Sequence, residues 1–86
     1  MQKNSLDIFY SDTFRIMLIL KENTQTINNV SFAPMLYEDI GKQLHITRQT
    51  VSKHMDTLKK DGYVKILMRG RIQITNKGLE ILNKLS

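Results

Sequence analysis

Apolar residues recur at helical spacing in four stretches of this chain and at alternating spacing in a fifth. In residues 5–22, Phe14, Met17 and Leu18 fall at i, i+3 and i+4, with Lys21 at i+7. Ile16, Ile19 and Leu20 widen the apolar arc of this predicted helix. Ser11 or Asp12 is the expected cap, with an earlier start near Ser5 or Asp7 as the alternative. The arc is broader than one core face requires, so burial on more than one side is expected. Either this is the central core helix or a second subunit covers the excess.

Residues 23–34, NTQTINNVSFAP, show no helical period and read as a connection. Ile27, Val30 and Phe32 are expected to anchor it or form a short extended piece. A helix of about two turns follows over Tyr37–Leu44, with Leu36, Ile40 and Leu44 inward and Glu38 and Asp39 at its positive end. Gly41 is costly inside a helix, which points to a close approach by another helix. His45-Ile46-Thr47 then turns the chain, and Thr47 caps a helix from Arg48 to about Lys60. Val51, Met55 and Leu58 form its inward stripe. Gln49, Lys53, Asp56 and Lys60 lie within about 40° of the opposite side, with Ser52 flanking them. Gly62 suits a left-handed stop.

Tyr63–Thr75 alternates as a hairpin. A three-residue loop, Met68-Arg69-Gly70, pairs Leu67 with Arg71, Ile66 with Ile72, Lys65 with Gln73 and Val64 with Ile74. Apolar then meets apolar on one face. A two-residue Arg69-Gly70 loop would set Ile66 against Gln73 and force a positive φ on Arg69 in a type I′ turn, so the longer loop is preferred. Thr75 caps a last helix over 76–85, whose Leu79, Leu82 and Leu85 or Ile81 must pack on something, because ten residues do not hold a helix alone. The fold class is mainly α with a small β-hairpin, in the order α-α-α-β-β-α: a winged helix-turn-helix. With 86 residues, a single domain over 1–86 is expected.

Charge sharpens this picture. Residues 1–46 carry a net −1, whereas residues 47–86 hold nine Lys/Arg against three acids, net +6. That asymmetry suits a polyanion, although a solvated basic surface gives the same count. The longest apolar run, Ile16–Leu20, is too short to span a bilayer, and the first residues lack the pattern of a signal peptide. A cytoplasmic chain is therefore expected. There is no cysteine, so disulfides and thiolate metal sites are excluded. His45 and His54 have no evident carboxylate partner in the sequence, so no metal and no cofactor are expected. No nucleophile–base pair, phosphate loop or carboxylate dyad is present, which argues against an enzyme.

The stretch YEDIGKQLHITRQTVSKHMDTLKKDGYV resembles the helix-turn-helix of MarR-like and ArsR-like transcription regulators of bacteria and archaea. SDTFRIMLIL is similar to the first core helix of the ArsR-like group, and ITNKGLEIL to the segment after the wing in MarR-like proteins. Leu36 stands where a Ser or Thr cap is common, His45 where a glycine is common, and the 23–34 loop is longer than usual. The resemblance implies a DNA-binding regulator.

The candidate recognition residues are Thr47, Arg48, Gln49, Thr50, Ser52 and Lys53. Arg48 and Gln49 suit guanine and adenine edges, while the others suit bases or phosphates. Asp56 argues against an interface reaching far down the helix. The candidate wing residues are Lys65, Arg69, Gly70 and Arg71, an arginine-bearing tip suited to a narrow minor groove. The alternative is a surface hairpin whose charges guard its edge. The candidate dimer interface is Phe14, Met17, Leu18, Leu79, Leu82 and Leu85. The leading reading is a homodimeric repressor on double-stranded DNA. The competing ones are a winged-helix module that binds protein, and a plasmid or viral replication or partition protein.

Overall fold

The computed structural model describes residues 11–85. Helix α1 spans Asp12–Glu22, and the Ser11 hydroxyl accepts the Phe14 N–H at 3.2 Å. The alternative starts at Ser5 or Asp7 lie outside the described residues. At its other end the side chains of Asn23 and Thr24 donate to the Ile19 and Leu20 carbonyls at 2.8 and 2.7 Å. The Asn23 N–H reaches the same two carbonyls at 3.1 and 3.3 Å, so the side chains add second bonds at a helix end that runs out of backbone donors.

The 23–34 stretch is more ordered than a connection. Strand β1 (Gln25–Ile27) and strand β2 (Val30–Phe32) form an antiparallel hairpin pairing Gln25 with Phe32, Thr26 with Ser31 and Ile27 with Val30. Asn28 and Asn29, at φ 53° and 66°, make the turn. Two left-handed residues match the twist of a tight hairpin, and Asn tolerates that region better than most side chains. Ala33 then exchanges two backbone hydrogen bonds with Ile72, at 2.7 and 3.0 Å. Pro34 favours the extended conformation at Ala33 that this bridge requires.

Helix α2 is Tyr37–Leu44 and helix α3 is Arg48–Lys60. Leu36 caps α2 without a polar side chain, and the Asp39 carboxylate accepts the Leu36 N–H at 2.9 Å in compensation. His45 takes the left-handed turn at φ 59°. A Cβ on Gly41 would lie 2.7 Å from the Ile46 carbonyl oxygen. The closest approach at Gly41 is therefore made by the turn itself, which folds back over α2, with Val51 Cγ2 of α3 also in contact range at 3.6 Å. Val51, Met55 and Leu58 are buried, as their spacing predicts.

Strands β3 (Val64–Met68) and β4 (Arg71–Ile74) form the wing, and helix α4 (Asn76–Leu85) closes the fold. The wing pairs Val64 with Ile74, Lys65 with Gln73 and Ile66 with Ile72, as expected. The tip differs from expectation. Met68, not Leu67, faces Arg71, with an irregularity between Ile66 and Met68. The extra residue is thus absorbed as a bulge at Leu67 and the loop shortens to Arg69-Gly70. Gly70 carries the positive φ, at 82°, and Arg69 does not share it. The observed order is α-β-β-α-α-β-β-α, a winged helix-turn-helix with a second hairpin.

Helix α1 lies at the centre, touching α2, α3, β4 and α4. Its broad apolar arc is covered by those elements. Phe14, Met17 and Leu82, expected at a dimer interface, are buried in the chain's own core. Leu18 and Leu85 are half-buried and Leu79 is exposed. The apolar arc, for which the sequence leaves a core role and a second subunit both open, is largely covered by four neighbours within the chain, while Leu18, Leu79 and Leu85 keep exposed surface.

Candidate nucleic-acid interface

Thr47 fixes the start of α3. Its hydroxyl accepts the Thr50 N–H at 3.1 Å and lies 2.9 Å from the Thr50 hydroxyl. Thr47, Arg48, Gln49 and Lys53 are exposed, whereas Thr50 and Ser52 are half-buried. The first turn of α3 holds no acid, although that of α2 holds Glu38 and Asp39. The positive end of the α3 dipole is therefore left uncompensated beside Arg48, an arrangement that favours an anion. Further down, Asp56 pairs with Lys59 at 3.4 Å. The cationic reading surface thus sits in the first two turns.

The wing contributes unequally. Arg48, Arg69 and Gly70 border one cleft of about 310 Å³, whose walls include Leu36, Tyr37, Glu38 and Ile66. The start of α3 and the wing tip thus face each other. Arg71 is turned away: its guanidinium lies over the Phe32 ring, 4.9 Å from the centroid, and it lines a different cleft. Lys65 pairs with Gln73, whose amide donates to the Ser31 carbonyl of the first hairpin at 2.9 Å. Successive strand residues point to opposite faces, so Lys65 and Arg71 lie on the face away from Ile66 and Ile72. Of the four wing candidates, the structure brings Arg69 and Gly70 to α3 and leaves Lys65 and Arg71 on the outer face.

Two features of the site have only faint sequence signals. Glu38 places one negative charge on the cleft that Arg48 and Arg69 share. His54 of α3 has its Nε2 3.7 Å from a carboxylate oxygen of Asp12, and Arg15 reaches the same carboxylate at 3.7 Å. His54 thereby gains a carboxylate neighbour that lies far from it in sequence. Among the described residues no cluster of three or more His, Cys, Asp or Glu is placed to hold a metal. No helix among them is long and apolar enough to cross a membrane.

The model of the Crp-like helix-turn-helix domain matches residues 15–79, well over half of the chain. The chain belongs to the Crp-like helix-turn-helix family. The match runs through both hairpins, and it replaces the MarR-like and ArsR-like resemblance at the level of the subgroup while keeping the winged helix-turn-helix. The Crp-like fold recurs in solved structures. The reduced Fe(II) CO-sensing protein from R. rubrum is 25% identical, with a TM-score of 0.76 over 92% of this chain and 37% of that one. A CRP-family transcriptional regulator from Thermus thermophilus is 19% identical, with a TM-score of 0.71 over 87% and 40% of the two chains. An uncharacterized protein of Methanocaldococcus jannaschii is 47% identical over 45 residues, 52% of this chain and 17% of that protein. The chain thus spans less than half the length of each of these relatives. A Crp-like helix-turn-helix is a DNA-binding domain of transcription regulators.

Proposed function

We propose that this chain reads duplex DNA with sequence preference and regulates transcription. The observation that carries the reading is the shared cleft of Arg48 and Arg69, beside a capped helix start with no acid in its first turn. Gln49 and Arg48 reach base edges, and Lys53, Thr50, Ser52 and Arg69 hold the backbone. The fold of named transcriptional regulators supports the same role. The chain acts as a homodimer in the cytoplasm, with α3 of each copy in successive major grooves roughly 34 Å apart. Repression by excluding polymerase is the simplest mechanism. With Phe14, Met17 and Leu82 buried, the dimer contact draws on Leu18, Leu79 and Leu85.

Selection of bound sequences from a random duplex pool tests this reading. The expected result is an enriched motif with two related half-sites. Absence of enrichment, together with no gel shift of random duplex at low salt, rejects DNA binding. An enriched half-site without its repeat, with sedimentation at the 10.0 kDa of one chain, retains DNA binding and removes the dimer.

A further inference from the structure

The turn that joins α3 to the wing is bonded on both sides. The backbone N–H groups of Asp61, Gly62 and Tyr63 return to the Thr57, Lys59 and Leu58 carbonyls at 3.0, 3.0 and 2.9 Å. Their carbonyls all go to the head of α4. The Lys77 ammonium donates to the Asp61 carbonyl at 2.7 Å, the Thr75 hydroxyl to that of Gly62 at 2.6 Å, and the Thr75 N–H to that of Tyr63 at 3.0 Å. The Thr75 hydroxyl also accepts the Gly78 N–H at 3.1 Å, so one group caps α4 and clasps the turn. Gly78 lets the two backbones meet, since a Cβ there would run into the Tyr63 carbonyl oxygen. Capping α4 requires only the Thr75 hydroxyl. The Lys77 bond does nothing for the helix that carries it and serves the turn.

We infer that Thr75 and Lys77 are positioning residues for DNA reading: they fix the angle between α3 and the wing, and with it the distance from Arg48 to Arg69. The inference rests on the reading of DNA by those two arginines proposed above. The wing acts as a lever. Strand β3 separates the turn from Arg69 by five residues. That is about 17 Å at the rise of a strand, so a swing of about 10° at Tyr63 would carry the tip by about 3 Å. A shift of about 3 Å is the full reach of a hydrogen bond, enough to take Arg69 off the phosphate that Arg48 and α3 hold in register with it. Lys77 acts through the turn and not on DNA. Its ammonium is taken up by the Asp61 carbonyl and lies 5.0 Å from the centre of the Tyr63 ring. Asp61 caps the negative end of α3, whereas Arg48 opens the positive end, so a cation is held where the helix dipole favours it, at the far end from the reading surface.

The test separates position from charge. Lys77→Met keeps the stem and removes the bond, and Lys77→Arg restores a donor and a cation. The chain has no cysteine, so spin labels on Asp56→Cys and Met68→Cys report the angle between α3 and the wing without DNA. The label distance is expected to broaden or shift with Lys77→Met and Thr75→Val, and to return with Lys77→Arg and Thr75→Ser. On duplex DNA, Lys77→Met should weaken the selected site by about three- to tenfold, the range of one hydrogen bond, and random duplex by less than about twofold, with the salt slope unchanged. An unchanged label distance in Lys77→Met overturns the inference, whether or not the chain binds DNA. A salt slope lowered by about one, with equal losses on all sequences, overturns it too, because Lys77 would then be a phosphate contact. A wild-type chain that binds no duplex, with label distances that do shift, removes the DNA reading and with it the role given to the clasp, while the clasp itself stands. Should Thr75→Val fail to fold, the Lys77 variants decide alone, since Lys77 is exposed.

Discussion

Arg69 and Arg71 flank Gly70 at the tip of one hairpin, yet they border different clefts. Arg69 faces Arg48 across the cleft beside the start of α3, whereas Arg71 lies on Phe32 between the two hairpins. Proximity in sequence therefore says little about shared work at a hairpin tip: Arg69 lies in the turn, Arg71 opens β4, and the left-handed Gly70 stands between them. What an arginine does at a wing is set by what stands opposite it. For Arg69 that is an uncompensated helix start. For Arg71 it is an aromatic ring from a hairpin far away in sequence.

The sharpest way to break this contrast is to remove the arginines in turn. Arg48→Ala and Arg69→Ala are each expected to weaken DNA binding by about 1.5–3 kcal/mol, the range for a hydrogen bond to a charged group. Arg71→Ala should leave the dissociation constant for DNA within about twofold. Titration by fluorescence anisotropy at fixed salt measures all three. Equal losses for Arg69→Ala and Arg71→Ala would show that the wing works as one cationic tip after all.

Within α3 the expected effects differ in kind. Gln49→Ala is predicted to cost about 1–3 kcal/mol on the preferred site and little on random duplex. Lys53→Ala should weaken binding to every sequence and lower the slope of log affinity against log salt by about one. If both variants lose specific and random binding alike, the division between base and backbone contacts fails.

Gly70→Ala addresses the tip itself. A left-handed φ costs a residue with a Cβ about 1–2 kcal/mol, while the nearest neighbour, Leu36 Cδ2 at 3.6 Å, leaves room for the methyl. Chemical denaturation should show that loss with an unchanged m-value. A neutral result would mean that the turn relaxes at no cost.

Much of this arrangement was legible in the residues. The stripe Val51, Met55 and Leu58 and the Thr47 cap follow from period and chemistry local to one helix. The wing register follows because only one alignment sets Ile66 against Ile72. The same reasoning missed the bulge at Leu67, since an extra residue can enter the loop or the strand without changing those pairs. The first hairpin was hidden for a different reason. Its strands are three residues long and almost wholly exposed, so they carry no alternation. Only Asn28-Asn29 between Ile27 and Val30 marks the turn. The partners of Arg71 and His54, Phe32 and Asp12, are set by tertiary packing, which no local pattern encodes. The excess apolar arc of α1 was read correctly as extra burial, but the share of it that β4 covers depends on tertiary packing too.

The smallest expected effect is also the most discriminating. An exposed cation–π contact contributes about 0.5–1 kcal/mol, and the Arg71 stem adds some packing over Phe32. Arg71→Gln should therefore lower stability by about 0.5–1 kcal/mol, or about 2–8 °C in melting temperature for a domain of this size. Phe32→Leu should lower stability further, because Phe32 is buried, and the loss from Arg71→Gln should shrink in that background. A double-mutant cycle isolates the coupling. Zero coupling would detach Arg71 from the ring. Its guanidinium would then be available to DNA, and the separation between the two faces of the wing would no longer hold.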